Sequence, residues 1–206
     1  SWYSTEFYYL RINKQVQRRA NMMCSAPMIL DNLNFCDRAK STTEQDWDRV
    51  ADALIASLAQ CLDRGLILMI DYGFVAAEYY HPQRHIGTLR AHYRHHALDD
   101  PFYLPGLCDL TAHVDFSAVA WAGTAAGLEL AGYTSQAGFL LNSGLTELLM
   151  QTPPDDAAAY LPQANAVQRL VSPAEMGELF KVIGFSKGGI APLAGFARGD
   201  RRHSLL

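Results

Sequence analysis

Hydrophobic positions first become periodic at Ser41. Trp47, Val50, Leu54, Leu58, Cys61 and Leu62 share one helical face, Ser41 and Glu44 have capping-box spacing, and Gly65 stands where such a helix would stop. The uninterrupted apolar run from Leu66 to Ile70, closed by Asp71, Tyr72 and Gly73, then reads as a strand buried on both faces. A short strand is expected at Thr88 to Tyr93. Asp115 can cap a helix through Phe116, Val119, Ala120 and Gly123 that ends near Gly127, and a strand follows at Leu128 to Tyr133. Further helices are expected from Ala137 to Met150, broken by Pro153 and Pro154, and from Asp155 to Leu170. Another is expected to start at Ser172, where Pro173 and Glu175 complete an N-terminal signature. Ala191 to Arg198 reads as a last strand, and the glycine-dense segment from Gly184 to Gly189 as a surface turn. The pattern is α/β without internal repeats.

The first forty residues show no sustained period. They hold six Lys/Arg against three Asp/Glu, while the remainder holds eleven against eighteen, so a basic head (1–40) precedes an acidic body (41–206). With 206 residues, half of them hydrophobic, the chain can build one sizeable core. A net charge of −4 and a pI near 5.9 argue against nucleic acid or an anionic membrane surface as partner. The longest apolar run is too short to span a bilayer. Cys24, Cys36, Cys61 and Cys108 lie far apart without a CxxC spacing, which suits a reducing cytoplasmic setting, and Cys61 on an apolar helical face reads as a small core residue.

Candidate chemistry concentrates between Asp71 and Phe116, which contain six of the seven histidines. In an open α/β sheet, ligands gather beyond the carboxyl ends of the strands, and Asp71 closes such a strand. The same aspartate could instead be a turn acid bonding its own following amide. His92, His95, His96, Asp99, Asp100 and His113 include the ligand types of zinc or iron. No HExxH or comparable spacing occurs, and Arg84, Arg90 and Arg94 interleave with opposing charge, so hydrogen-bonding histidines and no metal are expected. No GxSxG elbow and no GxGxxG or GxxxxGK[ST] loop is present, and Cys108 has no sequence-local activating partner. Arg201, Arg202 and His203 read as a solvated basic terminus.

The succession IDYGF, EYYHPQR, GTLRAHYRHH, DDPF, PG, DLTAHVDF, GYTSQAGFLL and SPAEMGELFKV, from about residue 54 to residue 203, resembles the carboxy-terminal half of the MidA-like family of S-adenosylmethionine-dependent methyltransferases. The family's mitochondrial members are associated with complex I assembly through arginine methylation of a subunit. The resemblance implies the carboxy-terminal part of a class I, Rossmann-like fold. Strand five would lie at Leu66 to Asp71, strand six at Leu128 to Tyr133 and strand seven at Ala191 to Arg198, with inserted helices between Ala137 and Ile183. It implies S-adenosylmethionine as cofactor and a protein nitrogen as acceptor, in the cytoplasm, or in mitochondria if the chain is eukaryotic. The glycine-rich loop after strand one and the acid ending strand two are expected to be absent, so no cofactor-binding residue is assigned.

On this reading the polar stretch is the substrate-facing wall of a cleft. Asp71 would orient the substrate and His113 accept a proton, with Asp109 beside them. Tyr72, Tyr80, Arg84, Thr88, His92, Thr111 and Asp115 would contact substrate, although capping alone suffices to explain Asp115. The alternative is a catalytically empty interaction module. In either case the flank of strand five is expected to be open, and to be covered by residues 1–40, by a second copy or by a partner.

Overall fold

A computed structural model describes residues 44–206 apart from 86, 95, 99, 101–106, 191 and 206, with 44–51 as helical backbone only. The expected cap at Ser41, the basic head, His95, Asp99 and the apolar face through Trp47 and Val50 lie outside the described residues and side chains.

Helix α1 (Glu44–Cys61) leads into β1 (Gly65–Phe74), followed by the single turn α2 (Ala76–Tyr79). Next come β2 (Arg90–Tyr93), β3 (His96–Leu98), β4 (Asp109–Thr111) and β5 (Val114–Asp115), then helix α3 (Phe116–Ala125) and β6 (Glu129–Ser135). Helices α4 (Gln136–Asn142), α5 (Leu145–Leu149) and α6 (Ala157–Val171) precede β7 (Phe180–Lys187). The main sheet has the order β5-β1-β7-β6, with β7 antiparallel to both neighbours and β5 parallel to β1. This is the five-seven-six end of a Rossmann-like methyltransferase sheet. A separate sheet has the order β3-β2-β4.

Several local signals act as the sequence suggests. Asp115 caps α3, its Oδ1 accepting from the amides of Ser117 at 2.9 Å and Ala118 at 3.2 Å. A cap not singled out from the sequence is Asp156, whose Oδ1 accepts from the Ala159 amide at the start of α6. The expected helix from Ala137 to Met150 is instead two short helices, because Gly144 takes a left-handed φ of 89° and ends the run.

Strand seven is at Phe180–Lys187, not at Ala191 to Arg198, and no helix starts at Ser172. Pro173 holds Ser172 extended (φ −62°, ψ 127°), and the turn that follows closes when the Gly177 amide donates to the Ser172 carbonyl at 2.8 Å. Phe180–Lys187 then inserts between β1 and β6 and pairs on both edges. Its Val182, Ile183 and Phe185 are fully buried, so the run carries no alternation of polar and apolar residues to mark it. The expected surface turn from Gly184 to Gly189 is likewise strand as far as Lys187; only Gly188 and Gly189, at φ 78° and 67°, form the turn.

The 190s run outside β6 through the 3-10 turns Ala194–Phe196 and Arg202–Ser204. Asp200 accepts from the Tyr133 amide at 3.1 Å, and the Thr134 hydroxyl donates to the Gly199 carbonyl at 2.8 Å. The terminus is not merely solvated: Arg201 pairs with both carboxylate oxygens of Glu178, and Arg202 with Asp200.

The core lies on one face of the main sheet, where Ile55 and Ala59 of α1 and Phe116 and Ala120 of α3 pack on Tyr133, Ile183 and Phe185. Cys61 is exposed at the end of α1 and takes no part in it. On the other face Phe196 lies over Gly132 and Gly184, where any Cβ would collide with its ring. β1 is not buried on both faces: Leu66, Leu68 and Ile70 are 39%, 44% and 50% exposed, while Ile67 and Met69 face the core.

Candidate functional site

The carboxyl end of β1 and the small sheet meet at Gly73. A Cβ at Gly73 would collide with the Val114 carbonyl oxygen and lie 2.8 Å from the Val114 nitrogen, so only glycine lets β5 come alongside β1 here. That approach places His113, the residue just before β5. Its amide donates to the Thr88 hydroxyl at 3.2 Å. Its ring stacks on Phe74, centroids 4.9 Å apart, and meets the edge of Tyr72 at 5.3 Å; Tyr72 in turn meets Phe180 at 5.7 Å.

The small sheet faces this aromatic wall. Arg90 and His92 alternate along β2, while Ala91 between them is completely buried. Opposite them on β4, Thr111 pairs with Arg90 and Asp109 with His92. The Thr111 hydroxyl and His92 Nδ1 lie 3.3 Å apart in a hydrogen bond. Between wall and sheet lies a cavity of about 670 Å³, lined by Tyr72, Thr88, Arg90, His92, Arg94, Asp109, Thr111, His113, Leu179 and Phe180.

Six residues singled out from the sequence, Tyr72, Thr88, His92, Asp109, Thr111 and His113, therefore share one cavity. Four do not line it. Asp71, one residue out of phase with Tyr72, lines a second, apolar cavity of about 390 Å³ with Leu54, Ile55, Met69, Phe116 and Val119. Arg84 lays its guanidinium 3.8 Å from the centre of the Phe74 ring. Tyr80 is 67% exposed with its ring against Tyr79, and Asp115 is occupied as the cap of α3. Sequence reasoning missed Arg90 and Arg94 as cavity residues, reading them only as charges that oppose a metal. Their spacing of two positions from His92 was the available signal. Leu179 and Phe180 had no local signal, since β7 delivers them from the far end of the chain.

His113 Nδ1 is buried and is the one buried side-chain polar atom without a hydrogen-bond partner among the described residues. Burial holds the imidazole pKa below its ordinary value of 6.5, and the nearby Arg84 and Arg90 charges act in the same direction, against the Thr88 bond and Asp71. The ring is therefore held in its neutral form at pH 7. Asp71 behaves as a turn acid at the end of β1. Its Oδ1 accepts from the Tyr72 amide at 2.8 Å, yet desolvation outweighs that bond and the His113 charge and raises its pKa above 3.8. No group of three or more His, Cys, Asp or Glu side chains among the described residues could hold a metal ion.

An orphaned buried nitrogen costs about 1–3 kcal/mol. His113→Phe, which keeps the stack on Phe74 and removes that atom, is expected to raise the thermal midpoint at pH 6. The pH dependence gives a second reading. The unfolded imidazole takes up a proton near pH 6.5 while the folded one resists, so native stability falls as pH drops below 6.5 towards the folded pKa. The Phe variant should lack that component, and an unchanged midpoint with an unchanged pH slope would contradict it.

The sequence pattern of a family described as S-adenosyl-L-methionine-dependent methyltransferases matches residues 15–134, so it reaches into the first forty residues. The chain is 31% identical over 156 residues to the Drosophila melanogaster protein named "Protein arginine methyltransferase NDUFAF7 homolog, mitochondrial", covering 69% of this chain and 33% of that one. It is 29% identical over 166 residues to the corresponding Danio rerio protein, covering 71% and 36%. A crystal structure from Burkholderia thailandensis bound to S-adenosyl-homocysteine superposes with a TM-score of 0.73 at 57% identity, covering 76% of this chain and 40% of that one. The chain thus spans about a third to two fifths of the length of these relatives.

Proposed function

Because the chain belongs to the MidA-like family of S-adenosylmethionine-dependent methyltransferases, we propose that its cavity is the acceptor side of a methyl-transfer site acting on a protein nitrogen, that of an arginine side chain. The observation that carries this reading is His113: a neutral imidazole at the cavity wall, with one nitrogen buried and unpartnered at an energetic cost. Methylation of a guanidinium nitrogen must release a proton, and His113 at the cavity wall would take it. Asp71 lines the neighbouring apolar cavity and would act on the acceptor only through its electrostatic interaction with His113 across the end of β1.

The described residues do not themselves form a cradle for the cofactor. β1 runs into Val75 and the four-residue α2, with no glycine-rich turn opening a helix. When bound, the cofactor supplies an electrophilic methyl group. The residues described here bind and orient the acceptor and take its proton. We place the cofactor-binding half against the free edge of β1, where residues 65–72 have no strand partner on the side away from β7 among the described residues. A second copy or a partner strand would add at the same edge if that half were missing.

The test extends this chain upstream by the part of the domain its relatives have and follows methyl incorporation into an arginine-containing peptide. S-adenosylmethionine is expected to bind the extended chain, and His113→Ala is expected to keep that binding while lowering transfer by about 10²- to 10⁴-fold. Transfer at the wild-type rate by the Ala variant would remove His113 from the mechanism. The alternative reading is an interaction module without catalysis, and failure of the extended chain to bind cofactor would establish it.

A further inference from the structure

The Phe74 ring carries two groups at once. The Arg84 guanidinium carbon lies 3.8 Å from its centre, and the His113 imidazole stacks on it with centroids 4.9 Å apart and an interplanar angle of 28°. One short loop builds this arrangement. His81 caps the 3-10 turn Pro82–Arg84 by accepting from the Gln83 amide at 3.3 Å, and Pro82 pre-sets the φ that opens the turn. The Gly87 amide then donates to the Arg84 carbonyl at 2.9 Å, and Gly87 itself, at φ 74°, turns the chain into Thr88. Thr88 accepts from the His113 amide. The loop thus holds His113 twice, by its backbone through Thr88 and by its ring through Phe74 and Arg84. Arg84 borders a separate polar hollow with Glu78, His81 and Gln83, so it acts on His113 from outside the cavity.

We propose that Arg84 is a positioning residue for His113, acting through the ring they share to keep the imidazole a proton acceptor instead of a second cation. The role rests on the reading of His113 given above and adds a residue to that same site. An aromatic face attracts a cation because its π cloud is negative. With the guanidinium already on Phe74, protonating His113 would bring a second positive charge to the same ring. The two charges would then be closer than the screening length of about 10 Å in 0.1 M salt. A neutral imidazole meets no such opposition and keeps its stack. The other charged groups around the ring are mixed in sign. Arg90 of β2, itself engaged in a further interaction, acts in the same direction as Arg84, and Asp71 of β1 acts against both. Tyr72 of β1 meets the ring as an edge, while His92, Arg94 and Asp109 line the cavity that His113 borders. Asp115 is taken up in the cap of α3, and Glu78 of α2 and His81 face Arg84 across the polar hollow. Among these described groups, Arg84 is the one that shares an aromatic ring with the imidazole.

The first experiment needs no cofactor. Histidine ring resonances of the full chain are followed through a pH titration, with His113 identified as the resonance missing from His113→Phe. Its midpoint in the wild-type chain is expected below the ordinary imidazole value of 6.5. Arg84→Gln, with the Phe116 and Tyr133 ring resonances of the core as a check on folding, is expected to raise that midpoint. Arg84→Lys, which keeps the charge, should leave it low, and Asp71→Asn should lower it further. One reading needs no variant: raising the ionic strength shortens the screening length from about 30 Å at 0.01 M to about 3 Å at 1 M and should move the wild-type midpoint up. A midpoint unchanged by Arg84→Gln, one that Arg84→Lys raises as far as Arg84→Gln does, or one that salt does not move would overturn the role of Arg84. The extended chain separates this inference from the acceptor reading. If His113 takes the proton, the acid limb of the pH profile for methyl transfer should move up with the His113 midpoint in Arg84→Gln. A midpoint that moves while that limb stays in place would remove His113 as proton acceptor and leave its control by Arg84 intact.

Discussion

Gly73→Ala is expected to pull the candidate site apart. The added methyl would meet backbone, the Val114 carbonyl and nitrogen, as well as the Phe116 ring at 2.9 Å, and none of these is the flexible end of a side chain. Relief requires β5 to move away from β1, and their ladder is only two residues long, Gly73 with Val114 and Phe74 with Asp115. Three features travel with β5: the His113 ring stacked on Phe74, the bond from its amide to Thr88, and the Asp115 cap of α3. Overpacking of this kind costs about 1–3 kcal/mol, and loss of the cap adds about 1 kcal/mol. For a chain of this size the thermal midpoint should fall by roughly 2–4 °C per kcal/mol. Methyl transfer by the extended chain should fall further than stability does, because a misplacement on the order of 1 Å can cost about 100-fold in rate. A Gly73→Ala chain with the wild-type midpoint and wild-type His113 ring resonances would show that β5 does not depend on this approach.

The second large effect is at the contact of α3 with the sheet. Phe185 is fully buried, and its ring edge occupies the space a side chain at Gly123 would need; a Cβ there would lie 2.6 Å from the ring Cζ. Phe185→Ala is expected to destabilise the chain by about 3–5 kcal/mol, a large part of a net stability of about 5–15 kcal/mol. Gly123→Ala alone should also destabilise, by about 1–3 kcal/mol, since a packed aromatic ring cannot step aside. Together the two should not add. In the Phe185→Ala background the new methyl enters vacated space, and the double variant should be more stable than Phe185→Ala alone. Urea unfolding of the four proteins gives the coupling energy directly; simple additivity would mean that the glycine is there for some reason other than this ring.

These two glycines mark where reading the sequence reached its limit. The capping acid Asp115 was legible because a cap is a bond between residues a few positions apart, and the helix it starts was found where expected. β1 and β6 were legible as apolar runs bounded by glycine. Ser172, Pro173 and Glu175 misled for the same reason that Asp115 did not. Their signature is local, and a strand that gains a partner on each edge outweighs it. The surroundings of Gly73 and Gly123 are set by Val114 and Phe185, forty or more positions away, and no window of sequence contains both partners.

The sequence by itself determined the family, the α/β class, the main helices, and the concentration of polar chemistry between Asp71 and Phe116, because composition, caps and motifs are properties of neighbouring residues. Six residues of that stretch do meet in one cavity. Only the tertiary structure decided that β7 is Phe180–Lys187, that Asp71 faces away from His92, and that Arg90 and Arg94 confront Leu179 and Phe180. Those outcomes depend on strand register. A shift of one residue exchanges the two faces of a strand, and the pairing that prevents it is made between segments about a hundred positions apart.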